Sequence, residues 1–175
     1  MTTAAEVSAL DREAFVARLG HLFEGSPWIV DAAWERRPFA DVDELHRALV
    51  GVVETAPPER RLSLLRAHPD LAGRAAMADE LTSASSSEQR GAGLTRLDPD
   101  RYRRLAEINA RYTARFGFPA IVCVRDSTVD EILESLGRRL DATPAAEEAE
   151  AVRQVERIAW HRLRDEVTDD APAGS

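Results

Sequence analysis

"DPDRYRRLAEINARYTARFGFPAIVCV", residues 98–124, decides how the rest of the chain is read. Asp98 stands where a helix N-cap belongs, Pro99 lies just inside the start, and Gly117 falls just past the end. That is the usual asymmetry of a helix's two termini. Directly after it, "FPAIVCV" (118–124) is the one run that reads as extended. A lone strand makes no sheet, so this piece reads as a connection between helices.

The same helical grammar recurs on both sides. "DREAFVARLGHLF" offers Asp11 as a cap, with Phe15, Leu19, Leu22 and Phe23 near one face. "SPWIVDAAWERRP" reads as a Ser26 cap, Pro27 at the first helical position and Pro38 as terminator. In "DVDELHRALVGVVETA", Asp41 followed by Glu44 is a capping-box pattern. Pro57 and Pro58 then separate it from "ERRLSLLRAH", while Thr128 and Thr143 cap "STVDEILESLGRRL" and "TPAAEEAEAVRQVERIAWHRLRDEV". No internal repeat of fixed period is present. The expectation is an all-α, single-domain bundle of about seven to eight helices with one short extended segment. Its core runs from about residue 8 to about 167, and a polar tail from about 168 to 175.

Composition narrows the function classes. A chain of 175 residues, 44% hydrophobic and 31% charged, suits one globular domain with a real core. A net charge of −8 argues against a nucleic-acid partner, which needs a basic surface. No apolar run approaches the ~20 residues of a membrane helix. "MTTAAEVSALDREAF" has early acidic residues and no apolar signal region, and "DDAPAGS" lacks a peroxisomal ending, so the cytoplasm is expected. With Cys123 as the single cysteine, neither an intrachain disulfide nor a cysteine-rich zinc site is available. All 23 basic residues are arginines. Without lysine, the chain cannot form a Schiff base with a carbonyl substrate or pyridoxal phosphate.

"RAHPDLAGRAAMADELTSASSSEQRGAGL", residues 66–94, breaks the helical pattern. Pro69 disfavours the α conformation at His68, which should therefore end its helix on a bend. The helix's carbonyl end favours a protonated imidazole there, and a histidine near neutrality can move a proton. The plain alternative is a C-cap histidine bonding a terminal carbonyl. Ser85 and Glu88 stand in the S-x-x-E relation of a capping box opening a short helix. The functional reading uses the same helix start, whose N–H groups suit a carboxylate or imide oxygen. Gln89 carries a donor and an acceptor that can read an amide, urea or lactam edge, and Glu88 can orient His68. The extended segment can bind a flat heterocycle through its backbone, with Arg125 as a cation for a carboxylate, or be only a buried connection. His21, His46 and His161 show no ligand spacing and read as structural or exposed.

"HPDLAG", "LTSASSSEQRGAGL" and "INARYTARFGFPAIV", in that order, resemble 2-oxo-4-hydroxy-4-carboxy-5-ureidoimidazoline (OHCU) decarboxylases over roughly residues 8–167. The resemblance implies an all-α, cofactor-free homodimer that performs the last step from urate to (S)-allantoin. It places the catalytic histidine at His68, with Pro69 beside it lining the substrate. It assigns Ser85, Glu88 and Gln89 to holding the substrate and the backbone from Ala120 through Ile121, Val122 and Cys123 to Val124 to the remaining contacts. The family commonly has an aromatic residue where this chain has Ala120. Its chemistry suits a chain without lysine or a metal cluster, because the substrate's own ring C=N takes up the electron pair that decarboxylation leaves. The protein must supply orientation and a proton to one face. The implied partner is the small-molecule substrate alone, with no cofactor, metal, nucleic acid or membrane.

Two other classes remain open on the residues. Ser83, Ser85, Ser86 or Ser87 with His68 would suit acyl transfer, although no G-x-S-x-G elbow supports it. A helical interaction module with a degenerate site is the second.

Overall fold

Asp98 caps its helix as expected: its Oδ1 accepts from the N–H groups of Asp100 and Arg101 at 3.0 and 2.9 Å. The computed structural model describes residues 2–71, 83–92, 94 and 97–169. Within them the α-helices are α1 (Ala4–Ser8), α2 (Arg12–Leu19), α3 (Trp28–Ala33), α4 (Val42–Glu54), α5 (Pro58–Arg66), α6 (Ser83–Gly91), α7 (Pro99–Phe116), α8 (Val129–Arg139) and α9 (Pro144–Glu166). The predominantly helical class is as the sequence reads, and no helix among the described residues is long and apolar enough to cross a membrane. The helix missing from the sequence reading is α1, which Thr3 opens with a complete capping box on Glu6. The capping-box pair at Asp41 is half made: Asp41 accepts from the Glu44 N–H at 2.7 Å, whereas Glu44 reaches back one residue further, to the Ala40 N–H at 2.6 Å. Ser26 is not a side-chain cap. Helix α3 starts at Trp28 with Pro27 in the cap position, and Ser26 contributes only its carbonyl to the Ile29 N–H.

A sheet does exist, but not where the chain looks extended. Thr2–Thr3 (β1) pairs in parallel with Val167–Thr168 (β2). Asp169 then accepts from the Val42 N–H at 3.0 Å. Thr168 and Asp169 are thus part of the fold rather than the start of the polar tail, and residues 170–175 of that tail lie outside the described residues.

The chain falls into two compact units, one of residues 1–64 with 156–175 and the other of residues 65–155. In the first, Phe15, Leu19, Ile29, Leu45 and Leu49 are fully buried. Arg162 and Glu24 form an ion pair at 3.0 Å with 5% and 7% of their side chains exposed. At that depth each charge depends on the other, because an unpaired ion there costs several kcal/mol. His46 is structural, as expected: its Nε2 meets the Glu156 carbonyl at 3.1 Å, and burial lowers its pKa.

The second unit contains the three blocks that carry the resemblance. Tyr112 on α7 donates to Glu147 on α9, which also holds Arg139 at 2.5 Å. Burial first, then the bond to Glu147, push the Tyr112 phenol upward, so it stays protonated and keeps donating. Helix α8 begins with Thr128 accepting from the Glu131 N–H while Glu131 reaches back to the Thr128 N–H. That reciprocal cap lies shortly after the extended segment and fixes where the chain turns back into helix. Thr128→Ala is expected to lower unfolding stability by about 1 kcal/mol. Chemical denaturation reads this, and an unchanged midpoint would mean that neighbouring packing, not the cap, sets the start of α8.

Candidate active site

Proline 69 has the effect the sequence predicts. Helix α5 ends at Arg66, and the chain leaves it through a bend at His68, whose N–H still bonds the Leu65 carbonyl at 3.3 Å. The imidazole is not on the surface: His68 is 8% exposed, Pro69 is half-buried, and Leu71 is buried. Two side chains grip the turn that follows. Gln89 Nε2 donates to the Asp70 carbonyl at 3.4 Å, a long contact, and Asn109 Nδ2 donates to the Leu71 carbonyl at 2.7 Å. Asn109 is itself buried, and among the described residues its Oδ1 has no hydrogen-bond partner. A buried acceptor without a donor is uncommon in folded proteins.

Helix α6 corrects one sequence expectation. It starts at Ser83, which puts Ser85 and Glu88 in the helix body instead of at its first cap. A capping box between them is therefore not formed. Their spacing now has another meaning: residues 85, 88 and 89 are related by three and four positions and share one face. Ser85 and Gln89 are buried and Glu88 is half-buried on that face. Ser87 is exposed, and the side chains of Ser83 and Ser86 lie outside the described residues. A buried serine in a helix body does not make the strand–turn–helix elbow that serine acyl transfer uses.

Gly117 ends α7 in the left-handed conformation (φ 77°), its N–H bonding the Thr113 carbonyl at 2.9 Å. The Gly117 carbonyl in turn accepts from Arg66 Nε at 2.9 Å. That bond ties the last turn of the helix before His68 to the start of the extended segment. Ala120, Ile121, Val122, Cys123 and Val124 are all buried. Helix α6 packs against the 3-10 turn Val124–Asp126 that follows them. Arg125 is exposed on that turn. Ala120, where an aromatic residue was expected from the resemblance, has no exposed surface at all.

Within this unit, then, the histidine turn, the α6 face and the extended segment are linked by named bonds and packing. Sequence reasoning missed Arg66, Asn109, Arg139 and Gln154, which supply bonds that hold them. Only Asn109 carried a usable signal, since it lies inside one of the three blocks. The fold and site together define a class: an all-α protein with a histidine-bearing turn clasped between helix side chains beside a buried extended connection. The chain belongs to the OHCU decarboxylase family, whose description matches residues 8–164. It is 39% identical to the 2-oxo-4-hydroxy-4-carboxy-5-ureidoimidazoline decarboxylase of Haloferax volcanii, covering 96% of this chain and 98% of that one. Its identity to the mouse (Mus musculus) protein of the same name is 38%, covering 91% and 90%. Among solved structures it resembles an (S)-allantoin synthase, with a TM-score of 0.77 and 26% identity over 95% of this chain and 54% of that one. An OHCU decarboxylase crystallised in the presence of (S)-allantoin shares the fold, with a TM-score of 0.67 and 20% identity over 89% and 97%.

Proposed function

We infer that this chain is a carboxy-lyase that converts OHCU to (S)-allantoin in urate degradation. The observation that carries this is full-length similarity to decarboxylases of that name, joined to the linkage of the three blocks within one unit. The substrate's name sets the chemistry. One tetrahedral ring carbon bears both carboxylate and hydroxyl, and its neighbour bears the ureido group. Breaking the carbon–carboxylate bond releases CO2 and sends the electron pair into the ring C=N, whose nitrogen takes a proton. The resulting enol gives up its hydroxyl proton, and the ureido-bearing carbon gains one. The net change is one proton taken up and one CO2 lost.

His68 is the group proposed to move the proton, and Glu88 the group that orients it and balances its charge. Pro69 lines the substrate, Ser85, Gln89 and the backbone from Ala120 to Val124 hold the ring and ureido oxygens, and Arg125 meets the carboxylate. Delivery from one side sets the handedness of the new stereocentre, so orientation is most of the protein's contribution. We further propose that the chain acts as one domain, as a homodimer, in the cytoplasm. No added cofactor or metal is needed, because the substrate carries its own electron sink.

The test is CO2 release from OHCU generated in situ from urate. The purified chain is expected to accelerate it well beyond the spontaneous rate, with the rate unchanged after dialysis against a strong chelator. Loss of rate on chelation, with recovery on adding a divalent cation or pyridoxal phosphate, contradicts the cofactor-free mechanism. No acceleration at all would favour a helical interaction module instead.

A further inference from the structure

The buried extended segment is held by two side chains that no part of the mechanism has used. Arg139 Nη1 donates to the Ile121 carbonyl at 2.9 Å. Gln154 Oε1 accepts from the Cys123 N–H at 2.8 Å. Each of these side chains is itself fixed. Arg139, 11% exposed, is bound to the fully buried Glu147 at 2.5 Å and to the Tyr112 hydroxyl at 3.2 Å. Gln154 donates its amide nitrogen to Glu150 Oε1 at 2.7 Å.

Extended backbone makes the consequence directional. Successive residues turn their N–H and C=O groups to opposite sides, so residues 121 and 123 point one way and residue 122 the other. The bond from Arg139 and the bond to Gln154 draw the 121 and 123 groups to one side. On that alternation the N–H and C=O of Val122 face the side opposite the Ile121 carbonyl and the Cys123 N–H. Val122 is buried, yet among the described residues no hydrogen bond engages either group. Buried backbone groups are nearly always paired, and an adjacent N–H and C=O match the acceptor and donor edge of a ureido or lactam group.

We propose that Arg139 and Gln154 are positioning residues that turn the Val122 backbone pair toward the substrate. This rests on the reading of Ala120–Val124 as a substrate-binding segment. Neither side chain touches the reacting atoms; both act by fixing the direction of a peptide unit. Contacts of that kind hold substrate and transition state alike, so their loss raises KM and spares kcat.

Gln154 gives the cleaner test, because removing Arg139 leaves the Glu147 charge buried without its ionic partner. Gln154→Leu keeps helix propensity and volume but offers no acceptor to Cys123. The expected result is a KM for OHCU raised about tenfold, as for the loss of one hydrogen bond of roughly 1.4 kcal/mol, with kcat within about threefold of wild type. The double variant Glu150→Gln, Gln154→Glu restores an acceptor at 154 and a donor at 150, and should return KM toward the wild-type value. A merely structural role would lower the melting temperature and the active fraction while leaving KM unchanged, and that result overturns the proposal. So does a KM that stays raised in the double variant. The Val122 amide resonance in wild-type protein, with and without (S)-allantoin, separates substrate binding by the segment from its positioning by the two side chains. If it does not shift, the segment does not bind substrate and the clamp falls with it. If it shifts and Gln154→Leu leaves KM unchanged, only the clamp is wrong.

Discussion

His68→Asn is expected to lower turnover of OHCU by at least about 100-fold, the ordinary contribution of a positioned acid–base group. Asparagine keeps a polar side chain on the bend but cannot exchange a proton near neutral pH. The sequence places His68 on a bend, where a surface side chain can be changed with little effect on stability. At 8% exposure His68 is instead part of the buried turn, so a cost of about 1 kcal/mol in unfolding stability should accompany the catalytic loss. A drop of that size leaves a well-folded protein, so steady-state kinetics at a temperature below the unfolding transition separates the two effects. A folded variant retaining more than a tenth of the wild-type kcat would remove His68 from the mechanism.

Glu88→Gln carries the second large effect. Had Ser85 and Glu88 formed a capping box, glutamine could have filled the cap, and the residue's role would have been ambiguous. Helix α6 begins at Ser83, two residues before Ser85, and Glu88 lies a full turn inside it, half-buried. A glutamate-to-glutamine change at such a position in a helix body is expected to shift stability by no more than about 0.5 kcal/mol. If Glu88 orients His68 and balances the charge it carries during proton transfer, kcat should fall by about 100-fold with KM within a few-fold. A selective rise in KM would instead make Glu88 a substrate-holding group. Wild-type values of both constants would leave it without a part in the reaction.

The helices were legible because their ends are written locally. Asp98, Thr128 and Thr143 each accept from a backbone N–H two or three residues on, so a short window of sequence contains the whole interaction. The serine run misled because S-x-x-E is satisfied equally well by a cap and by two residues on one face of a continuing helix; which applies depends on where the preceding chain enters. The pairing of Thr2–Thr3 with Val167–Thr168 joins two dipeptides from opposite ends of the sequence, too short for any alternating pattern to register. The positioning bonds were illegible for the same reason. Arg139 reaches Ile121 across 18 residues, Gln154 reaches Cys123 across 31, and Arg66 reaches Gly117 across 51. The candidate histidine was readable because Pro69 acts on its immediate neighbour, whereas the bonds that hold the extended segment exist only once the helices have packed.

In the proposed reaction the chain decarboxylates OHCU and delivers the proton to one face through His68. Circular dichroism of the allantoin formed as OHCU is generated from urate measures both parts at once. The expected result is a single-handed signal, that of (S)-allantoin, rising faster than the spontaneous reaction with wild-type protein, and a slow signal of little or no net handedness with His68→Asn. Racemic product at the spontaneous rate from the wild-type chain, or a full (S)-allantoin signal at wild-type rate from His68→Asn, would contradict it.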